Sequence, residues 1–135
     1  MMRLIAFCSA LLLLACNPSM ESEASTDPLR LRVDPETAAP GDSVTLVLQN
    51  DTSDDVGYNL CNSALQVRSG DAWEPVPSDR VCTMELRMLT PGNEDSFTLQ
   101  LPSDLAPGEY RFTTSIEVMP SGTTEALESS VLRVE

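Results

Sequence analysis

An all-β, antiparallel sandwich is the fold class that this sequence predicts, and three observations carry the prediction. Apolar residues recur at spacing two in short runs, as in Leu29-Arg30-Leu31-Arg32-Val33 and Tyr110-Arg111-Phe112, which is the pattern of a strand with one buried face. Pro-Gly and Ser-Gly pairs separate these runs at intervals of roughly ten residues. No segment keeps a helical period for three turns.

Taken in order, the runs give seven to nine short strands. Leu29, Leu31 and Val33 form the first, which Pro35 ends. After the Pro40-Gly41-Asp42 turn, Val44, Leu46 and Leu48 point one way and Thr45, Val47 and Gln49 the other. A polar, acidic loop runs from Asn50 to Asp55, and Val56 to Leu60 makes a third strand with Tyr58 and Leu60 on one side. Ala64 to Arg68 and Ala72 to Val76, joined by Ser69-Gly70-Asp71, form a hairpin whose Trp73 is expected to pack back over the core. Met84, Leu86 and Met88 at spacing two predict another inward face, followed by a Thr90-Pro91-Gly92-Asn93 turn. Phe97, Leu99 and Leu101 come next. The longest alternating run holds Tyr110, Phe112, Thr114 and Ile116 or Val118, and after Pro120-Ser121-Gly122 one strand from Leu127 to Val134 closes the domain.

The first sixteen residues are of a different kind. A basic start, Met1-Met2-Arg3, leads into an apolar segment from Leu4 to Leu14 that ends at Ala15-Cys16. This reads as a secretory signal in which a cysteine follows the cut. The run is shorter than the roughly 20 residues of a spanning helix. Leu13-Leu14-Ala15-Cys16 resembles the lipobox of bacterial lipoproteins, which implies cleavage after Ala15 and lipid on Cys16. Asn17, where an aspartate would signal retention, implies the outer membrane under proteobacterial-type sorting, facing the periplasm or the surface. The expected organisation is a signal peptide over 1–15, lipidated Cys16 with a flexible acidic tether to residue 28, and a sandwich over 29–135. A coil of the tether's length reaches roughly 20 Å.

Charge excludes some functions. The chain carries −13, and loss of Arg3 with the signal would leave −14. Such a surface repels nucleic acid, so a nucleic-acid-binding role is excluded. All eight basic residues are Arg, which fits a GC-rich genome or life at high salt. With Cys8 in the signal and Cys16 in the anchor, Cys61 and Cys82 remain, and in an oxidising compartment a disulfide is their default. A metal reading of that pair fails, because the chain has no His and two thiolates do not complete a tetrahedral site.

Over residues 29–135 the chain resembles the immunoglobulin-like domains of bacterial surface and secreted lipoproteins. The resemblance is carried by Val33, the run from Pro40 through Leu46, Leu48-Gln49-Asn50, Tyr58-Asn59-Leu60 and the Trp73-Glu74-Pro75-Val76 arm. It continues through Leu89-Thr90-Pro91-Gly92 and Pro107-Gly108-Glu109-Tyr110-Arg111-Phe112. It implies an immunoglobulin-like antiparallel β-sandwich with a tyrosine corner at Tyr110. Two features depart from antibody domains. Cys61 follows the third strand and Cys82 precedes the fifth, so their bond would staple the middle of the chain, and Trp73 lies on the hairpin arm after Cys61, so it is not equated with the core tryptophan of antibody domains.

Candidate sites are few. Asp51, Asp54 and Asp55 offer oxygen ligands to Ca²⁺, although the loop lacks the spacing of an EF-hand. Asn50-Asp51-Thr52 matches a glycosylation acceptor by chance. Glu85, Asp95, Asp104 and Glu109 fall on separate strands and turns, and without His no serine triad forms. An enzyme, a cofactor and a catalytic residue are therefore not expected. Met84 and Met88 could make a soft copper site only if exposed, and the strand pattern turns them inward. Trp73 is the residue expected to anchor a partner. The sequence thus predicts a non-enzymatic, lipid-anchored cell-envelope module whose partners are the membrane, through Cys16, and an envelope or extracellular protein. A structural spacer, and a peptidase-inhibitor-like domain acting through Pro75-Val76-Pro77-Ser78, are the competing readings.

Overall fold

Period-two burial, read directly off the backbone, organises the computed structural model, which describes residues 27–135. The strands are β1 (Leu29–Asp34), β2 (Thr37–Ala38), β3 (Ser43–Asn50), β4 (Val56–Tyr58), β5 (Ala64–Ser69) and β6 (Ala72–Pro75). They continue as β7 (Arg87–Leu89), β8 (Asn93–Gln100), β9 (Gly108–Val118), β10 (Thr123–Glu128) and β11 (Leu132–Val134), and a 3-10 turn, Leu60–Asn62, follows β4. A three-stranded sheet, β1-β3-β8, faces an eight-stranded sheet built on β9. β9 pairs with β10 and β11 along one side and with β5 and β4 along the other. An all-β antiparallel sandwich is therefore what the alternation builds. Only the short β2, which lies parallel to β11, departs from antiparallel pairing among the named strands.

Alternate residues of each sheet fill the space between them. Leu46 and Leu48 of β3 and Phe112 and Ile116 of β9 are essentially sealed from solvent, and burying each such side chain contributes about 1.5–3 kcal/mol. Val44, Val33, Leu132 and Val134 complete the layer. Val47, of the opposite parity, is also buried, between Arg32 and Ser96 of the flanking strands. The turns fall where Pro and Gly place them. Gly41 has φ +82° and Gly122 φ +70°, a region that residues with a Cβ avoid.

Four polar contacts fix the sheets and the corner strand. Tyr110 donates its hydroxyl to the Ala106 carbonyl at 2.7 Å, which is a tyrosine corner in its expected place. The Tyr58 hydroxyl on β4 donates to the Asp95 carboxylate on β8 and so joins the two sheets. Burial first, and the Asp95 bond second, push the Tyr58 phenol up to about 12. The folded state holds that proton more tightly than an unfolded chain does. Its contribution is therefore fully present below pH 10 and lost as pH climbs towards 12. Ser129 and Ser130 make the third contact: the Ser129 hydroxyl accepts from Phe112 N at 2.9 Å, and the Ser130 hydroxyl accepts from Val33 N at 3.1 Å.

Asn50 makes the fourth. It is fully buried at the end of β3, and its amide donates to the carbonyls of Asp54 and of Leu89 on β7, both at 2.9 Å. Its oxygen accepts from the Thr52 amide and hydroxyl. Asn50 is thus a satisfied structural residue whose amide is unavailable as a glycan acceptor.

Three expectations are corrected. The last predicted strand is two, because Ser129 and Ser130 turn aside to bond β9 and β1. Met84, Leu86 and Met88 do not face the core: only Arg87–Leu89 is a strand, and Leu89 takes its inward position, which turns Met88 outward. Trp73 does not cover the core. It stands opposite Arg68 in the hairpin register, on the outer side of the sheet, while Val67 and Val76 pack inward.

Replacing Asn50 with Ala takes the side-chain donor from the buried Leu89 carbonyl, while the Asp54 carbonyl keeps the Thr52 hydroxyl. We expect Asn50→Ala to cost about 1–3 kcal/mol in urea unfolding. A loss below about 0.5 kcal/mol would remove Asn50 from the lacing of the sheets.

Candidate functional site: a pinned loop with exposed apolar side chains

Between β6 and β7 the chain runs for eleven residues, 76–86, without strand pairing. Pro77 lacks an amide proton to give to a ladder, and Ser78-Asp79 favours a turn. Such a coil would ordinarily move, yet several contacts fix it. Val76 N donates to the Leu65 carbonyl at 2.9 Å. Arg80 extends its guanidinium to the carbonyls of Cys61 at 2.8 Å and Ser63 at 3.3 Å. Burial lowers the pKa of this guanidinium, and the two carbonyls offset part of the lost hydration.

The Cys61–Cys82 disulfide is formed, with Cα atoms 5.8 Å apart. It joins the 3-10 turn to the coil, so it staples the middle of the chain rather than spanning the sheets as in antibody domains. Asn59 adds the next tie. Its side-chain oxygen caps the 3-10 turn by accepting from Cys61 N, and its amide donates to the Thr83 carbonyl at 2.8 Å. Finally, Leu86 lies over Gly57, where an added Cβ would stand 3.1 Å from its side chain. Asn59 was invisible as a site residue in the sequence, because its role depends on a coil twenty-four residues away.

Beyond Val76, the pinned coil presents apolar side chains outward. Val81 is 93% exposed and Met84 fully exposed, with Leu86 and Met88 about half exposed. Beside them lies a shallow recess of about 270 Å³ whose lining includes Tyr58, Asn59, Met84, Glu85 and Leu86. Arg87 is paired to Asp95 at 3.5 Å.

The other sequence-predicted residues do not join this site. Trp73 carries the Arg111 guanidinium over its ring, 4.5 Å from the centroid, a cation–π contact. Arg111 is itself held by Gln66 at 2.7 Å. Neighbouring Arg68 and Arg133 both pair with Glu109. Trp73 is therefore engaged on one ring face by its own domain. Asp51 pairs with Arg30 at 2.7 Å and accepts from Gln49, while Asp54 and Asp55 offer main-chain carbonyls to neighbours within the domain. Among the described residues no three acidic or cysteine side chains gather around a metal position, so Asp51, Asp54 and Asp55 do not converge. Of the proposed inhibitor segment, Val76 is turned into the core. Cys16 lies outside the described residues.

Two layers, a tyrosine corner and strand β9 at the centre define an immunoglobulin-like sandwich. The chain belongs to the bacterial Ig-like domain family, whose model matches residues 26–130. Among solved structures it is similar to the sporulation control protein Spo0M of Bacillus subtilis, at 19% identity and TM-score 0.48, over 81% of this chain and 50% of that one. The chain thus spans about half the length of that protein. A Bordetella pertussis protein assigned as ApaA matches at 16% identity and TM-score 0.47, over 76% of this chain and 85% of its own. A β-glucosidase of Listeria innocua matches at 18% identity and TM-score 0.34, over 78% of this chain but 16% of the enzyme. No curated protein matches the sequence.

Removing the disulfide tests what holds the loop. On the chain-entropy model, closing a loop of about 20 residues is worth about 3 kcal/mol. We expect the Cys61→Ala, Cys82→Ala double variant to lose about that much stability and to become sensitive to proteases within residues 77–85. An unchanged cleavage pattern would show that Arg80 and Asn59 suffice.

Proposed function

We propose that this protein is a non-enzymatic binding module of the bacterial cell envelope, held by lipid on Cys16 and engaging an envelope or extracellular protein through the pinned loop. The observation that carries the reading is a coil fixed by a disulfide, an arginine and an asparagine while Val81 and Met84 stay in water. A core has no use for side chains so placed. Binding has: the ordering entropy of the loop is spent during folding, so little remains to be lost when a partner arrives. Apolar residues on a rigid base are also what interface anchors require. Glu85 beside the recess, and the charge of −13 on the whole chain, favour a partner whose rim is basic.

The anchor reading rests on Leu13-Leu14-Ala15-Cys16 following an apolar run. We expect Cys16→Ser to abolish metabolic labelling with a palmitate analogue and to release the protein from the membrane fraction. Persistent labelling would sink the lipobox assignment.

The binding reading has a separate test. A photo-crosslinking residue at position 84 in intact cells is expected to give a discrete adduct, and the same residue at Asp71, in the exposed hairpin turn, none. Val81→Ser should remove the adduct while changing stability by no more than about 0.5 kcal/mol, since the side chain is exposed. Equal adducts from both positions would overturn the assignment of the loop.

A further inference from the structure

The smaller sheet ends at β8. This strand pairs with β3 along its whole length and, among the described residues, has no strand on its other edge. An edge of this kind carries a row of backbone donors and acceptors open to a further strand. Alongside the second half of β8 lies an open groove of about 850 Å³. Its apolar lining comes from Leu65 and Phe112 of the larger sheet and Leu99 of β8, all buried, and from Phe97 of β8, which stays partly exposed. Pro77 to Arg80 forms one wall and Pro102 to Asp104 the other. An apolar floor beside an unpaired edge suits one kind of guest. An extended segment could extend the sheet through its backbone while every second side chain reaches Phe97 and Leu99.

Charge narrows the guest. The basic side chain on the walls, Arg80, is turned away into the carbonyls of Cys61 and Ser63. Asp79 and Asp104 are exposed on the two walls, within a chain of net charge −13. A second copy would bring the same negative charge to the same edge, which disfavours pairing. We infer that the β8 edge binds an extended segment of a partner protein, alternating apolar with Lys or Arg residues, as a fourth strand of the smaller sheet. One wall of this groove belongs to the coil that carries Val81 and Met84, but neither of those side chains lines it, so the crosslinking test above and the peptide test below can fail independently.

The probe is a capped octapeptide of alternating Lys and Val, titrated into the full chain and followed by amide hydrogen exchange. Residues 94–100 are expected to exchange at least about tenfold more slowly with peptide bound, with β9 unchanged. An alternating Glu and Val octapeptide should bind at least about tenfold more weakly, and the Asp79→Arg, Asp104→Arg double variant should reverse that preference. A peptide with four Lys followed by four Val should give no protection, because it cannot place alternate apolar side chains on the floor. Protection by that block peptide, or none by the alternating one, overturns the inference. Protection of β8 without peptide, rising with protein concentration alongside a dimer in sedimentation, would assign the edge to a second copy instead.

Discussion

The backbone ladder of β9 is the constraint on which the larger sheet depends. β4, β5, β10 and β11 bond to it directly, and β2, β6 and β7 join it at one remove. Its inward residues, Tyr110, Phe112, Thr114 and Ile116, are all buried, so its register also sets the floor of the core. A slip of one residue would expose Phe112 and bury Arg111, which the charge of Arg111 forbids. The smaller sheet is then located by contacts with the larger one: Leu46 and Leu48 against the apolar floor, Tyr58 with Asp95, and Asn50 with Leu89.

Once that frame stands, the coil between β6 and β7 has a place to be fastened. The 3-10 turn offers the carbonyl of Cys61 to Arg80 and its sulfur to Cys82, and the turn's cap, Asn59, holds Thr83. Past Val76, which packs on the core, the same contacts that hold the coil keep Val81 and Met84 in water. Arg80 contributes twice, because committing its charge to those carbonyls leaves Asp79 and Asp104 to set the sign of the groove beside β8. Fold, loop and groove are linked through one partly buried guanidinium.

Where local periodicity carried the information, the sequence was legible. The inward faces of β1, β3, β5, β8 and β9 follow from spacing two, and the Pro-Gly turns fall between them. The disulfide was legible from cysteine count and the expected oxidising compartment, and the tyrosine corner from its position after Pro107-Gly108. Met84, Leu86 and Met88 misled because an alternating apolar run has the same pattern whether a sheet or water receives it. The register of Leu89 against Val56 turns Met88 outward, while Met84 and Leu86 lie in the coil before the strand. Trp73 misled for a related reason, since nothing in the hairpin sequence reveals that Arg111 of β9 will lie over its ring.

By itself, the sequence determined that this is an acidic, histidine-free chain whose alternating runs make an antiparallel β-sandwich, since strand period and turn chemistry are local properties. Tertiary structure alone decided that Asn50 and Asn59 are fasteners, that the Val81 and Met84 loop is held in water, and that β8 borders an open groove. Each of these depends on which distant segments become neighbours. That choice is made by burial of the two sheets against each other, and no window of the chain contains it.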